Sequence, residues 1–132
     1  MNDRNFITLK DLKVYQLARV LSSKAWDVYC DLNFEQKKIM GDQFIRSMDS
    51  IGANIAEGYG RYHAMDQVKF YLYSRGSMFE ANYHWTSLLF ERKIISESDL
   101  EFINAQSKDL EVRLNNFISS TRKSIKKWKW KH

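Results

Sequence analysis

The chain has 132 residues, no proline, five glycines and a 14% share of aromatic residues. That length fits one domain with a single core, and the scarcity of helix breakers favours long helices. A single cysteine, Cys30, excludes an internal disulfide and is typical of a reducing compartment. The N-terminal residues have neither a signal-peptide core nor a basic leader, and no apolar run approaches about 18 residues. We therefore expect a soluble cytoplasmic protein that does not associate with membranes.

The formal net charge of +5 is concentrated at one end of the chain. Residues 122–132 contain six Lys or Arg and no acid, which leaves 15 basic and 16 acidic residues in the remainder. The chain therefore divides into a nearly neutral domain, residues 1–121, and a basic tail, residues 122–132. The tail is expected either to extend the last helix or to be disordered.

Two helices are predicted in the first half of the chain. Thr8 and Asp11 resemble a helix cap, and the residues after them carry one apolar stripe. That stripe consists of Val14, Leu17, Leu21, Ala25, Val28 and Leu32. A second cap, Asn33 with Gln36, predicts a second helix over about residues 35–57.

Three glycines mark the second half of this helix and its end. Gly58 and Gly60 are expected to supply positive φ angles, which commonly close a helix and reverse the chain. Gly52 lies inside the helix, where glycine costs about 1 kcal/mol relative to Ala. It therefore indicates either a closely approaching neighbour or a bend.

The third helix, predicted from Asp66 to Arg92, carries two apolar stripes about 160° apart. One contains Val68, Leu72, Phe79 and Tyr83, and the other contains Phe70, Tyr73, Ala81, Trp85 and Leu88. One core cannot cover both stripes, so the second predicts a subunit interface, with a ligand groove as the alternative. The interface prediction concerns Phe70, Tyr73, Trp85 and Leu88.

Ser96 and Asp99 indicate the start of a fourth helix. Its apolar residues recur at steps of three and four, as in a coiled-coil seam. The whole stripe reads Leu100, Ile103, Ser107, Leu110, Leu114, Phe117 and Thr121. Four helices with three short connections predict an all-α, antiparallel up-down-up-down four-helix bundle.

Three segments of the sequence resemble one family, the 23S rRNA intervening-sequence proteins. They are residues 11–18 (DLKVYQLA), residues 51–61 with the run ANIAEG, and residues 73–80 around Arg75-Gly76-Ser77. The resemblance spans roughly residues 9–120 and implies a four-helix bundle that assembles as a ring-like homopentamer. It also implies a relationship in fold to accessory proteins of diversity-generating retroelements, which act with a reverse transcriptase and nucleic acid.

The residues of this family motif have two interpretations. They are Asn54, Glu57, Gly58, Gly60, Arg61, Arg75 and Gly76. The polar members form either a surface for RNA or another partner, or a network that fixes the helices in register. We favour the structural role, in which Arg75 pairs with Asp49 of the second helix.

The sequence predicts neither an enzyme nor a cofactor. Glu80 and His84 lie one turn apart, but the Glu-x-x-His spacing of carboxylate-bridged metal bundles is absent. The three histidines, His63, His84 and His132, have no partners arranged as a nucleophile with its base. We therefore expect no catalytic residue, no metal and no cofactor.

The basic tail is the strongest indication of a partner. Its predicted nucleic-acid-binding residues are Arg122, Lys123, Lys126, Lys127, Trp128, Lys129, Trp130 and Lys131. Lys and Arg release counterions from a phosphate backbone, and Trp rings offer faces on which unpaired bases stack. The alternatives are a solvated helix end, whose lysines complement the helix dipole, and contact with an anionic membrane surface.

These observations favour a non-enzymatic, homo-oligomeric, pentameric four-helix bundle that acts as an RNA- or DNA-binding accessory protein through its tail. The alternative is a protein-interaction scaffold that has an unknown protein partner and no nucleic-acid role. Salt dependence separates the two hypotheses, because phosphate binding weakens steeply as the salt concentration rises.

Overall fold

The computed structural model describes residues 7–131, and within that range it contains helices and no strand. A 3-10 turn, Leu9–Asp11, precedes helix α1, Lys13–Cys30. Helix α2 covers residues 34–59 without a break. It consists of Phe34–Gln36, a π-helical turn Lys37–Gly41, and Asp42–Tyr59.

Helix α3 covers residues 64–91, and helix α4, Glu97–Lys131, is the longest in the described part of the chain. Within α3, a π-helical segment Glu80–Thr86 separates Ala64–Phe79 from Ser87–Glu91. The predicted all-helical class with four helices is therefore confirmed. His132 and the side chain of Lys131 lie outside the described residues.

The predicted cap at the start of the first helix is displaced from the helix itself. The Thr8 hydroxyl donates to Asp11 Oδ2 at 2.6 Å across the 3-10 turn. Leu12 then has an extended backbone with ψ of 120°, so α1 begins at Lys13. The prediction that Thr8 and Asp11 cap the first α-helix is therefore wrong.

The caps of the second and fourth helices agree with prediction. The Gln36 amide donates to Asn33 Oδ1 at 2.8 Å, and the Asn33 amide donates to Gln36 Oε1 at 3.0 Å. This reciprocal pair is a capping box, and it is confirmed. At the start of α4, the Asp99 amide donates to Ser96 Oγ at 3.0 Å.

Buried apolar side chains from all four helices form one core. Its fully buried members include Leu21 from α1, Phe44, Ile51 and Ile55 from α2, Tyr71 and Met78 from α3, and Ile103, Leu110 and Leu114 from α4. The apolar stripe predicted for the first helix is buried, as expected. In the described range, two buried polar side-chain atoms, Asn82 Oδ1 and Ser107 Oγ, have no hydrogen-bond partner.

Helices α2 and α3 approach each other closely at Gly58. A Cβ added at Gly58 would lie 2.8 Å from Tyr71 Cε1 and 2.9 Å from Phe70 Cβ, so any larger residue would collide with α3. Further along the same contact, the buried Ser74 hydroxyl donates to the Ile51 carbonyl at 2.7 Å. The absence of a side chain at Gly58 therefore permits the contact between these helices.

The predicted positive φ angles at Gly58 and Gly60 are wrong. No glycine of the described chain has positive φ, and Gly60 has φ of −79°. Gly58 is needed for close packing, whereas a Cβ at Gly60 would meet only ordinary contacts of 3.6 Å. At Gly52, a Cβ would lie 3.5 Å from Ala18 Cβ, because α1 packs against α2 there.

The two apolar stripes predicted for the third helix are also wrong. The buried face of α3 runs through Val68, Tyr71, Ser74, Met78, Ala81, Asn82, Thr86 and Leu89. The π-helical segment changes which residues face the core after Phe79. In this segment the buried Thr86 hydroxyl donates to the Ala81 carbonyl at 2.8 Å. Phe79, which precedes this segment, and Tyr83 within it are more than half exposed, although they were predicted to lie in the core.

Helix α3 is closed at its C-terminal end by Lys93, which is the one non-glycine residue of the described chain with positive φ, at 60°. The Lys93 amide donates to the Phe90 carbonyl and the Ile94 amide donates to the Leu89 carbonyl, each at 2.9 Å. These two bonds define a Schellman motif, whose left-handed position usually holds glycine.

Replacement of two glycines tests the contact between α2 and α3. Gly58→Ala is expected to lower the free energy of unfolding by about 1–3 kcal/mol, because the methyl group collides with Tyr71 and Phe70. Gly76 is the matched control, since it also lies within a helix and a Cβ there has nothing within 4 Å. Gly76→Ala is therefore expected to raise stability by about 1 kcal/mol in urea unfolding. If both substitutions raised the free energy of unfolding equally, the close approach of α2 and α3 at Gly58 would be contradicted.

Replacement of Lys93 tests the end of α3. Lys93→Gly is expected to raise the free energy of unfolding by about 1 kcal/mol, because glycine has no Cβ penalty in the left-handed region. Lys93→Ala removes the same charge but keeps Cβ, so thermal or urea unfolding should show no comparable gain. If both variants raised the free energy of unfolding equally, the cause would be the loss of the Lys93 charge and not the backbone conformation.

Candidate nucleic-acid interface

The basic tail is helical and exposed. Helix α4 continues without a break to Lys131. Five basic side chains of the tail, Arg122, Lys123, Lys126, Lys127 and Lys129, are exposed. None of the five forms an ion pair with a carboxylate of the described chain, whereas Lys24 and Asp99 at the other end of α4 lie 2.6 Å apart.

Helical spacing arranges the tail in two rows. Arg122, Lys126 and Lys129 recur at steps of four and three and therefore share one face of α4. Lys123, Lys127 and Trp130 repeat that spacing on the adjacent face. Like charges four residues apart destabilise a helix by about 0.2–0.5 kcal/mol per pair, so bound anions would relieve this repulsion.

The two tail tryptophans have different surroundings. Trp130 is 88% exposed, and Trp128 is 63% exposed. Ile125 is half-buried and packs against the core, which fixes this part of α4 to the domain. Trp128 lies with Ile125 on the wall of a cleft whose opposite wall is the connection between α2 and α3.

The position of the tail along α3 follows from three contacts. The rings of Tyr71 and Phe117 lie 4.9 Å apart, Arg75 Nη1 donates to Asn115 Oδ1 at 2.9 Å, and the Tyr83 hydroxyl donates to Glu111 Oε1 at 3.2 Å. Residues later in α4 thus meet residues earlier in α3. The last turns of α4 consequently lie beside and beyond the start of α3.

The polar residues of the family motif do not converge on one site. The Asn54 side-chain amide donates to the Ser50 carbonyl of its own helix at 2.9 Å. Arg61 lies 3.5 Å from the Glu57 carboxylate and 4.7 Å from the ring centroid of Phe70. The contact of Arg61 with Phe70 joins the end of α2 to the start of α3.

The predicted pair between Arg75 and Asp49 is wrong. Arg75 is on the side of α3 that faces α4, where its guanidinium donates to Asn115. The error came from assigning Arg75 to the contact between α2 and α3, where the buried residue is in fact Ser74. Gly76, next to it, is exposed and has open space around it.

The predicted subunit interface is only partly exposed. Tyr73 is 50% exposed, whereas Phe70 and Leu88 are half-buried and Trp85 packs against the core. Phe79 and Tyr83, which the sequence analysis assigned to the other stripe, are 58% and 53% exposed, with ring centroids 4.4 Å apart.

The Phe79 ring lines a shallow hollow between α3 and α4. It has a volume of about 470 Å³ and is lined by Leu72, Arg75, Gly76, Phe79, Glu111 and Asn115. The Glu111 carboxylate raises the pKa of Tyr83, whose hydroxyl donates to it. We refer to Phe79 and Tyr83 as the aromatic face of α3.

Glu80 and His84 both contact Trp85. The Trp85 indole N–H donates to Glu80 Oε2 at 2.8 Å, and the His84 ring meets the Trp85 ring edge to face at 4.5 Å. The described part of the chain contains no group of three His, Cys, Asp or Glu residues that could hold a metal ion. No helix within residues 7–131 is long and apolar enough to cross a membrane.

These features define an all-helical protein with an exposed, cationic, tryptophan-containing helix end. The family model described as "23S rRNA-intervening sequence protein" matches residues 10–116, and the chain belongs to this family. The resemblance stated from the sequence motifs is thereby confirmed. The match ends before the basic tail begins.

A solved structure extends the comparison to the fold. It is the crystal structure of a protein with unknown function from the S23 ribosomal protein family of Bacteroides thetaiotaomicron VPI-5482. This chain is 28% identical to it, with a TM-score of 0.74, and the match covers 81% of this chain and 96% of the other. No curated protein matches the chain.

Proposed function

We propose that the protein is a non-enzymatic, cytoplasmic nucleic-acid-binding accessory protein that contacts RNA or DNA through the basic end of α4. The observation that carries this proposal is the set of exposed cations at residues 122–129 without carboxylate partners in the described chain. Phosphates would supply the missing counter-charge, and the release of their counterions would favour binding. Membership of a family associated with a 23S rRNA intervening sequence supports RNA as the first ligand to test.

The proposal includes the arrangement of the helices and of the subunits. An antiparallel up-down-up-down bundle is supported by the short connections and by the contacts in which later residues of α4 meet earlier residues of α3. A homo-oligomer, with five copies as the expected stoichiometry, is supported by the aromatic face of α3. Several copies would present several tails to one nucleic acid and increase its avidity.

A second candidate function is a protein-interaction scaffold. It is favoured by the same aromatic face, on which Phe79 and Tyr83 form an exposed pair. An apolar contact with another protein would depend only weakly on salt, whereas phosphate contacts lose affinity steeply as salt increases.

Replacement of one row of tail cations tests the nucleic-acid proposal. The triple variant Arg122→Gln, Lys126→Gln, Lys129→Gln is expected to reduce the slope of log affinity against log salt by about 2 for single-stranded RNA, since each phosphate contact contributes about 0.7. Fluorescence anisotropy of a labelled oligonucleotide over a salt series measures that slope.

The matched control removes three exposed lysines elsewhere and leaves the same net charge. Lys38→Gln, Lys93→Gln and Lys108→Gln together are expected to leave the slope nearly unchanged, because these lysines lie on other parts of the surface. Equal reductions in the two triple variants would contradict a localised site and indicate a general effect of net charge.

A charged substitution on the aromatic face tests self-association. Phe79→Glu is expected to shift the mass measured by light scattering toward the 15.8 kDa of one copy, because a carboxylate would be buried in the proposed interface. Phe34 of α2 is 80% exposed, so Phe34→Glu is the control and should retain the oligomer. A protein that is already monomeric at micromolar concentration would contradict the oligomer proposal.

A further inference from the structure

A cleft of about 670 Å³ lies between the end of α4 and the connection from α2 to α3. One wall is formed by Ile125, Trp128 and Lys129 of α4, and the other by residues 62–66, including Tyr62 and Met65. The volume falls within the range of about 300–1,000 Å³ that is usual for sites that bind small molecules or single groups.

The apolar side chains of this cleft are unusually exposed for residues beside a core. Tyr62 is 93% exposed, Met65 is 66% exposed and Trp128 is 63% exposed. Three large apolar side chains on two separate elements thus line one cavity without filling it. Concentration of exposed apolar surface in a concave site is typical of ligand binding.

Each wall of the cleft is attached to the helices behind it. Ile125, one turn before Trp128, packs against the core. On the other side, the rings of Tyr62 and His63 meet edge to face at 5.0 Å, and Arg61 packs over Phe70 at 4.7 Å. Ile125 thus anchors the α4 wall to the core, and Arg61 anchors the start of the opposite wall to α3.

The charge around the cleft selects for an anionic ligand. Lys129 lines the cleft and belongs to the row formed with Arg122 and Lys126. Asp66 also lines it and contributes the one carboxylate of the described lining. A ligand that places an apolar group inside and phosphates along the row would match both the apolar walls and the cations.

We infer that this cleft binds one unpaired base of single-stranded nucleic acid, stacked on Trp128 and opposite Tyr62, with the flanking phosphates on Arg122, Lys126 and Lys129. Bases in a duplex are stacked and paired internally, so only an unpaired base can enter. The inference rests on the proposed function and adds to it a preference for single strands. Stacking on an aromatic ring tolerates any base and makes no contact that requires a 2′-hydroxyl group.

The test compares three single variants of the full chain that leave its net charge unchanged. Trp128→Ala and Tyr62→Ala each remove one wall of the cleft. Trp26→Ala is the matched control, because Trp26 is an exposed tryptophan of α1, at 56%, that stacks on Tyr29 far from the tail in sequence. The probes are a labelled 15-nucleotide oligoadenylate as RNA and as DNA, and a 15-base-pair RNA duplex.

Both cleft variants are expected to lose about tenfold in affinity for the single-stranded RNA and DNA probes and to keep their affinity for the duplex. Trp26→Ala is expected to bind all probes as the unaltered chain does. Circular dichroism of each variant checks that the helices remain, and Tyr62 is so exposed that its removal should not affect folding.

Two results would overturn the inference, and only the second would also overturn the proposed function. If the unaltered chain binds with a clear salt dependence and either cleft variant retains its single-strand affinity, the cleft assignment fails and the tail proposal stands. If the unaltered chain binds no probe at about 50 mM salt, the cleft assignment and the proposed function both fail.

Discussion

The close approach of α2 and α3 at Gly58 is the constraint on which the candidate site depends. With no side chain at Gly58, Phe70 and Tyr71 of α3 lie directly against α2. Tyr71 in turn packs on Phe117 of α4, so the same contact also sets the position of the fourth helix. The connection between α2 and α3 follows immediately after Gly58, and it carries Tyr62 to the side of the cleft opposite Trp128. Packing in the core thus determines the geometry of the surface site.

The distribution of charge complements this geometry. The part of the chain outside residues 122–132 is nearly neutral, so its field contributes little to the attraction of anions. The cations of the tail are exposed and without carboxylate partners in the described chain, which leaves them available to phosphates. The family match ends at residue 116 and the tail follows it, so the helix that carries the cations begins inside the family domain and continues beyond its limit. Ile125 joins the two parts by packing this extension against the core.

The sequence predicts features that depend on local chemistry and misses those that depend on helix register. Asn33 and Gln36 were identified as a capping box because that motif needs only two residues at a fixed spacing. The π-helical segment Glu80–Thr86 has no such local signature, and Tyr83 within it is exposed against expectation, as is Phe79 just before it. Gly58 was singled out in the sequence. The sequence alone does not show whether this glycine is needed for a positive φ angle or for a close contact between helices. The cationic tail was predicted from composition. The cleft was not predicted, because it requires the relative position of a connection and a helix end.

The central claim, that nucleic acid binds at the end of α4, is tested most directly by mapping crosslinks on the unmodified chain. A single-stranded RNA is bound at low salt and irradiated with ultraviolet light, and the crosslinked peptides are identified by mass spectrometry. We predict crosslinks within residues 122–131 and at the α2–α3 connection around Tyr62, both of which decrease as salt is raised. Crosslinks restricted to the aromatic face of α3, or none above the level of an unirradiated sample, would contradict the claim.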